Sequence, residues 1–268
     1  MHKGRRQLII AGIALAAFLL NLDKAHAMVV AERVFRDPTT VQLAERVQRG
    51  DLDGVRRMLA AGAKVDEVGT GGLTLPHMAL LAKSNGPQVM SLLLEAGADP
   101  ISLLANGRSV PQYAAMRDNA DPETMIVLLA HGVSPNWVPP TDAPWRERSL
   151  LQRAVMGGNL PVVKVLVQHG ADINYVDPVS GSALHFALSS TDFAIAAFLV
   201  DAGIDLELRN KTAPEFQGSK VVPQTALEQF CLKQGGQRGD NPLPEVAEGW
   251  RAFTEALAKR GVTIPCGL

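Results

Sequence analysis

The chain of 268 residues lacks the short motifs that mark many catalytic and metal-binding sites. It contains no G-x-x-x-x-G-K segment and no H-E-x-x-H segment, so neither a P-loop nor a zincin metal site is indicated. It also has no C-x-x-C pair on which a zinc or redox site is commonly built. No serine or cysteine stands at a spacing that nominates a base for nucleophilic catalysis. We therefore expect no catalytic residues, no metal ligands and no cofactor.

The first 27 residues have the order of a secretory signal peptide. Lys3, Arg5 and Arg6 precede an uncharged, apolar run from residue 8 to residue 20, and Ala25-His26-Ala27 supplies small residues where signal peptidase reads the chain. The run is short for a membrane span, which needs about 20 residues. We expect cleavage after Ala27 and export. The alternative is an uncleaved segment that anchors the chain in a membrane.

The balance of charge is close to neutral and slightly acidic. The chain has 26 Lys and Arg against 27 Asp and Glu, a formal net charge of −1. Four of these basic residues and one acidic residue precede residue 28, so a chain cleaved there has a net charge of −4. Nucleic-acid binding asks for a basic surface. The sequence therefore argues against a nucleic-acid partner.

A glycine recurs in register, with an apolar pair four and three residues before it. The glycines are Gly62, Gly97, Gly132, Gly170, Gly203 and Gly261, and the first four intervals are 35, 35, 38 and 33 residues. Each glycine is predicted to end a helix in the left-handed conformation, which costs glycine little. A unit of this length, repeated in register, indicates a stacked solenoid instead of a single core.

Each unit also contains an earlier helix start. A serine or threonine hydroxyl is expected to cap an orphan amide at each of Thr74, Ser109, Ser149, Ser182 and Thr225. Proline marks the first turn of three later helices, at Pro87, Pro122 and Pro161. Two antiparallel helices and a turn per unit follow from these signals.

The segments Ser182-Ala183-Leu184-His185-Phe186-Ala187 and 166–174 resemble the ankyrin repeat, whose signature is T-P-L-H-x-A followed by a leucine pair and G-A-D. The segment at Thr74 has the same letters with proline and leucine exchanged. The resemblance covers roughly residues 39–264. It implies an all-α solenoid of about six helix-turn-helix units with β-turn fingers and a concave, protein-binding face, and no catalysis. We place the repeat domain at 28–268, with units at roughly 39–68, 69–104, 105–143, 144–178, 179–212 and 213–268.

Two connections exceed the ordinary spacing of 12 residues between a helix-ending glycine and the next hydroxyl. Gly132 to Ser149 spans 17 residues, and Gly203 to Thr225 spans 22. Insertions in a solenoid map to loops, often on the binding side.

The first insertion is rich in residue types that dominate interface hot spots. It contains Trp137, Trp145 and Arg146. We predict that these three, together with Tyr175 and Asp177 from the next finger, contact a partner protein. The alternative is that both indoles fold back on the stack and fill a gap left by the 38-residue interval.

Only two cysteines occur, Cys231 and Cys266. Export leads to an oxidising compartment, which favours a disulfide between them. The bridge would close a loop of about 35 residues and stabilise the end of the stack by roughly 3–4 kcal/mol in the chain-entropy model. The alternative is two buried, unpaired thiols.

The histidines and the recurring aspartates have structural interpretations. The resemblance assigns His77 and His185 to the signature position, where the ring braces neighbouring backbone. His131 and His169 precede helix-ending glycines, where a cation favours the negative end of a helix. The acids Asp51, Asp53, Asp99, Asp172 and Asp205 recur at turns, where an aspartate side chain bonds nearby amides.

The resulting hypothesis is a periplasmic, protein-binding module that is a monomer when free and touches a membrane only if its signal segment stays uncleaved. The periplasmic location is inferred from resemblance to exported ankyrin chains. Such chains can neutralise a toxic secreted effector, such as a lipase, which makes an immunity protein the sharper hypothesis. The alternative is an accessory scaffold for a periplasmic stress-defence enzyme. An enzyme grafted onto the repeats is the least favoured interpretation.

Overall fold

The structure, a computed structural model, describes residues 30–116, 121–140, 148–177, 181–210, 223–234 and 244–265. The predicted signal peptide lies outside the described residues. So do Trp145, Arg146 and Cys266, three of the residues singled out above.

Short helices make up most of the described chain. They are α1 (Ala31–Val34), α2 (Pro38–Arg49), α3 (Leu52–Ala60), α4 (Leu75–Ala79), α5 (Gly86–Glu95), α6 (Val110–Met116), α7 (Pro122–Ala130), α8 (Leu150–Met156), α9 (Leu160–Gln168), α10 (Ala183–Ser189), α11 (Phe193–Asp201), α12 (Ala226–Gln234) and α13 (Pro244–Lys259). A 3₁₀ turn covers Thr70–Gly72. The strands β1 (Val176–Asp177) and β2 (Gly181–Ser182) pair antiparallel, with Val176 opposite Ser182.

The five hydroxyl residues predicted to start helices all do so, and each forms a reciprocal capping box. At Ser149, for example, the hydroxyl accepts the amide of Gln152 at 3.2 Å while the Gln152 side chain accepts the amide of Ser149 at 3.1 Å. The other boxes pair Thr74 with His77, Ser109 with Gln112, Ser182 with His185 and Thr225 with Glu228. Two orphan amides are satisfied in each box. These starts of α4, α6, α8, α10 and α12 were therefore predictable from local sequence.

The six recurring glycines end helices as predicted. All six have a positive φ, between 70° and 94°. At Gly170, its amide donates to the carbonyl of Val167 at 3.1 Å and the next amide donates to the carbonyl of Leu166 at 2.9 Å. This pair of bonds is a Schellman motif, and it recurs at the other five glycines. The apolar pair in the sequence repeat thus supplies the two carbonyls that the glycine turn satisfies.

The chain divides into two compact units, and the first contains residues up to 114 together with 121–133. Within it, α2 packs against α3 and α4, and α5 packs against α3, α4 and α7. Corresponding helices of successive hairpins therefore lie side by side. The segment containing α1 covers the first finger: the Thr70 hydroxyl donates to the carbonyl of Arg33 at 3.2 Å, and Glu67 accepts the amide of Arg36 at 2.7 Å.

The second unit contains residues 115–120 and those from 134 onward. Within it, α10 packs against α8, α11 and α12, and α9 packs against α8 and α11. The long helix α13 packs along α11, where Phe193 meets the rings of Phe230, Trp250 and Phe253 at centroid distances of 5.8, 4.9 and 6.1 Å. Arg260 then donates to the carbonyl of Ile204 at 2.6 Å, just past the end of α11.

One position between paired helices requires left-handed backbone. Gly50 (φ 71°) and Gly158 (φ 65°) each precede the N-cap residue of the next helix, but Thr191 (φ 57°) occupies the same position before Asp192. A β-branched residue in this region is strained, and the left-handed conformation costs an L residue about 1–2 kcal/mol.

We expect Thr191→Gly to stabilise the protein by about 0.5–1 kcal/mol, because relief of strain exceeds the entropy that glycine gains in the unfolded chain. The reciprocal change, Gly158→Thr, should destabilise it by about 1–2 kcal/mol, since a Cβ there meets nothing closer than 3.7 Å and only backbone strain is added. Urea unfolding of both variants checks this. A loss of stability in Thr191→Gly would contradict it.

Candidate functional site

The fingers of the second unit are joined to one another by asparagine side chains. A finger here is the segment between a helix-ending glycine and the next hydroxyl helix start. The Asn136 side chain donates to the carbonyl of Gly170 at 3.2 Å and accepts the amide of Asp172 at 2.6 Å. One finger further on, Asn174 accepts the amide of Asp205 at 2.9 Å. Three successive fingers are thereby held at fixed spacing.

Aspartate side chains shape the same turns, as the sequence predicted. Asp172 accepts the amide of Asn174 and Asp205 accepts that of Glu207, each at 2.9 Å. Asp99 bonds the amide of Ile101 in the same way.

The first two aspartates of the predicted set lie elsewhere. Asp51 is the N-cap of α3, and the amide of Gly54, followed by the Arg46 guanidinium, lowers the pKa of its carboxyl. The assignment of Asp53 to a turn was wrong: it lies in the first turn of α3, where it pairs with Arg56 at 3.4 Å.

A row of apolar side chains follows the fingers of the second unit. Trp137, Tyr175 and Leu208 each stand five residues after their helix-ending glycine, and all three are half-buried. We call these three residues the finger row. Trp137 and Tyr175 were predicted from sequence, whereas Leu208 was missed, although the shared offset was a signal that would have found it. Because Trp145 and Arg146 lie outside the described residues, their predicted contacts remain predictions.

Asp177 does not suit the role of a contact residue. It is only 1% exposed, within β1 and opposite Gly181 of β2. Its negative charge favours the protonated form of His185 and so raises the pKa of that ring against the effect of burial. The expectation that Asp177 offers its carboxylate to a partner is therefore corrected: pairing of two short strands turns this side chain into the interior.

The two signature histidines lie inside capping boxes with Nδ1 as the acceptor. Nδ1 of His185 accepts the amide of Ser182 at 3.1 Å, and Nε2 donates to the carbonyl of Gln224 at 3.0 Å. Gln152, at the equivalent position, donates to the carbonyl of Gly181 at 2.8 Å. These contacts brace the backbone of the following repeat, as the resemblance implies for His185.

His77 is buried as fully as His185, each with 2% of its surface exposed. Its ring packs edge-on against Tyr113 with 6.4 Å between centroids, and its Nε2 has no hydrogen-bond acceptor among the described residues. Burial lowers the pKa of His77 to about 4. Burial also lowers the pKa of His185, against the opposing effects of the Gln224 carbonyl and the Asp177 carboxylate. Both rings are therefore neutral at pH 7 and act as polar structural groups.

The other two histidines differ from each other. Nδ1 of His169 donates to the carbonyl of Val165 at 2.8 Å, so this ring caps the end of α9 as predicted. His131 instead lies 3.4 Å from the Ser91 hydroxyl through Nε2. Among the described residues, no three His, Cys, Asp or Glu side chains are grouped so that they could hold a metal ion. The described helices include none that is both long and apolar enough to span a membrane.

Cys231 lies half-buried on α12, and no cysteine among the described residues has a free thiol.

Comparison with known proteins agrees with this geometry. Residues 112–210 match the family model of ankyrin repeats, in three copies. Protein phosphatase 1 regulatory subunit 27 of Homo sapiens and of Mus musculus are each 42% identical to the chain over 60 residues, which is 22% of this chain and 39% of the relative. The chain thus spans about two fifths of the length of these curated relatives.

A solved structure resembles the fold over most of its length. The ankyrin repeat domain of Bcl-3, a member of the IkappaB protein family, superposes with a TM-score of 0.56 at 22% identity, covering 83% of this chain and 86% of that one. The protein therefore has an all-α ankyrin-repeat fold. Ankyrin repeats generally mediate contacts between proteins, and proteins built from them are typically binding scaffolds without catalytic activity.

The neutral His77 makes stability depend on pH. The pKa of His77 is about 6.5 in the unfolded chain and about 4 in the folded chain. Between these two pH values, the unfolded chain therefore binds a proton that the folded chain does not. Stability is then fully present above about pH 6.5 and falls by up to about 3 kcal/mol as the pH drops to about 4. A second proton on the ring must go to Nδ1, the atom that accepts the capping bond.

We expect His77→Gln to unfold with a weaker dependence on pH than the wild type in urea titrations between pH 4 and pH 7. Glutamine already forms the equivalent boxes at Gln112 and Gln152, so the variant keeps the cap and removes only the titration. His185 leaves a residual dependence. An unchanged slope of stability against pH in the variant would contradict the assignment to His77.

Proposed function

We propose that the chain is an exported binding module that holds another protein on the fingers of its second unit. The observation that carries this proposal is the finger row of Trp137, Tyr175 and Leu208. Tryptophan and tyrosine supply large contact areas and are enriched where interfaces gain most of their energy. Each of the three is partly accessible before any partner arrives.

The described turns next to the helix-ending glycines support a binding role because hydrogen bonds between fingers hold their backbone in advance. The amides of Asp172 and Asp205 are held by Asn136 and Asn174 of the preceding fingers. A partner then gains contacts without first having to order these loops, and preorganisation of this kind lowers the entropic cost of association.

The compartment proposed for this module is the periplasm. The proposal is supported by the basic start, apolar run and Ala25-His26-Ala27 of the first 27 residues. For a periplasmic chain, the more specific proposal is an immunity protein that neutralises a toxic secreted effector, such as a lipase. The alternative is an accessory scaffold that holds a resident stress-defence enzyme.

A disulfide between Cys231 and Cys266 belongs to the same proposal. It is supported by the count of two cysteines, by the oxidising compartment and by the bonded state of the Cys231 thiol. The bridge would tie α12 to the end of the chain across the segment that contains α13.

Affinity capture tests the binding role. We expect the chain from residue 28, immobilised and exposed to periplasmic extract, to retain a protein that mass spectrometry identifies. The double variant Trp137→Ala with Tyr175→Ala should retain at least about tenfold less, as expected when hot-spot side chains are lost. Val68→Ala is the matched control, because Val68 is a 67% exposed apolar side chain on a finger of the first unit.

The identity of the captured protein separates the two versions. A secreted toxin supports the immunity role, and a strain lacking the gene should then be killed by its siblings. A resident enzyme supports the scaffold role. Equal retention by wild type and double variant would overturn the assignment of the finger row.

A thiol assay tests the disulfide. We expect purified chain from residue 28, denatured without reductant, to show no free thiol, and reduction to lower its free energy of unfolding by roughly 3–4 kcal/mol. Cys231→Ser should give a similar loss without reductant. Two thiols per chain before reduction would contradict the bridge.

A further inference from the structure

The exposed charges in the described turns that carry the finger row are mostly negative. The turns that carry the finger row, 134–140, 171–177 and 204–210, contain three exposed carboxylates, those of Asp172, Asp205 and Glu207. Arg209 is the only basic residue in these ranges, and the other basic residue described in these fingers, Arg148, lies over the Phe186 ring with 5.1 Å to its centroid. A fourth acid, Asp177, is buried.

Arg209 is neutralised within the chain by Glu228. The Arg209 guanidinium donates to both carboxylate oxygens of Glu228, at 3.0 and 3.2 Å, and also to the carbonyl of Pro223 at 2.8 Å. A two-pronged pair of this kind has little freedom to turn toward another ligand. The three exposed acids therefore have no basic counterpart among the described residues of their own fingers.

Two of these three carboxylates are held in place, and all three lie close in sequence to the finger row. Asp172 and Asp205 each accept one backbone amide through Oδ1, while their own amides are fixed by the preceding fingers. Asp172 stands three residues before Tyr175 in its finger, and Glu207 directly precedes Leu208. Fixed acids that remain exposed attract a positively charged partner at little cost in desolvation.

We infer, resting on the proposed function of the finger row, that the partner presents lysine or arginine side chains beside an apolar anchor. The anchor packs on Trp137, Tyr175 and Leu208. The basic groups face Asp172, Asp205 and Glu207, and an arginine over an aromatic ring adds a cation–π contact. Because the acids are exposed, their main effect is on the rate of association and on its dependence on salt.

Synthetic peptides of equal length test the chemistry directly. One combines arginine with leucine, a second combines glutamate with leucine, and a third combines arginine with serine. We expect the chain from residue 28 to bind the first peptide best. Its association rate should fall steeply between ~50 and ~300 mM salt, where the screening length shortens.

Charge variants test whether these three acids cause the faster association at low salt. Asp172→Asn with Asp205→Asn and Glu207→Gln removes the three acids, while both asparagines keep the oxygen that accepts the turn amide. Asp66→Asn with Glu248→Gln and Glu255→Gln makes the same change in net charge at exposed acids elsewhere. We expect the first triple variant to slow association with the arginine–leucine peptide about tenfold at low salt, and the control triple to have little effect.

The outcomes distinguish a failure of this inference from a failure of the proposed function of the finger row. If the two triple variants behave alike, or if the glutamate–leucine peptide binds as well as the arginine–leucine peptide, the basic chemistry is wrong. The finger row still stands in that case if the protein captured from periplasm is lost with Trp137→Ala and Tyr175→Ala. If that double variant also retains it, the surface itself is wrong.

Discussion

The structure depends on hydrogen bonds at the ends of very short helices. The first helices that begin at the five hydroxyl starts contain between five and nine residues, so about half or more of their backbone groups are orphan donors or acceptors. Helices of this length are marginal in isolation. Capping boxes satisfy amides at the starts of these helices, and Schellman turns satisfy carbonyls at the ends of the second helices. Packing of apolar faces then becomes favourable because the backbone amides at these helix starts have partners.

The capping residue also links one repeat to the next. Gln152 and His185 each accept an amide at their own helix start and donate to a carbonyl of the following repeat, through distances of 2.8 and 3.0 Å. On the fingers, Asn136 and Asn174 make a second set of links. With the backbone held at both places, the remaining positions of these fingers are not needed for the links between repeats. The position five residues after the helix-ending glycine is a tryptophan, a tyrosine and a leucine in three successive fingers.

Much of the fold could be predicted from the amino-acid sequence. All five hydroxyl starts and all six helix-ending glycines were predicted correctly, because capping needs only residues within one turn of each other. The site was less predictable. Trp137 and Tyr175 were proposed as contact residues from residue type, Leu208 was not, and Asp177 was proposed although the structure buries it. The assignment of Asp53 to a turn failed for a similar reason, because an acid next to a turn and an acid in the first turn of a helix look alike in a linear chain.

The amino-acid sequence by itself determined where helices begin and end, the period of the repeat and the class of fold, since these follow from interactions between residues three to five positions apart. Tertiary structure alone decided which finger side chains stay accessible and which charges remain unpaired. Burial of Asp177 depends on β1 meeting β2, and neutralisation of Arg209 depends on Glu228, 19 residues away. Exposure and charge pairing are sums over neighbours brought together by folding, and for that reason local pattern does not report them.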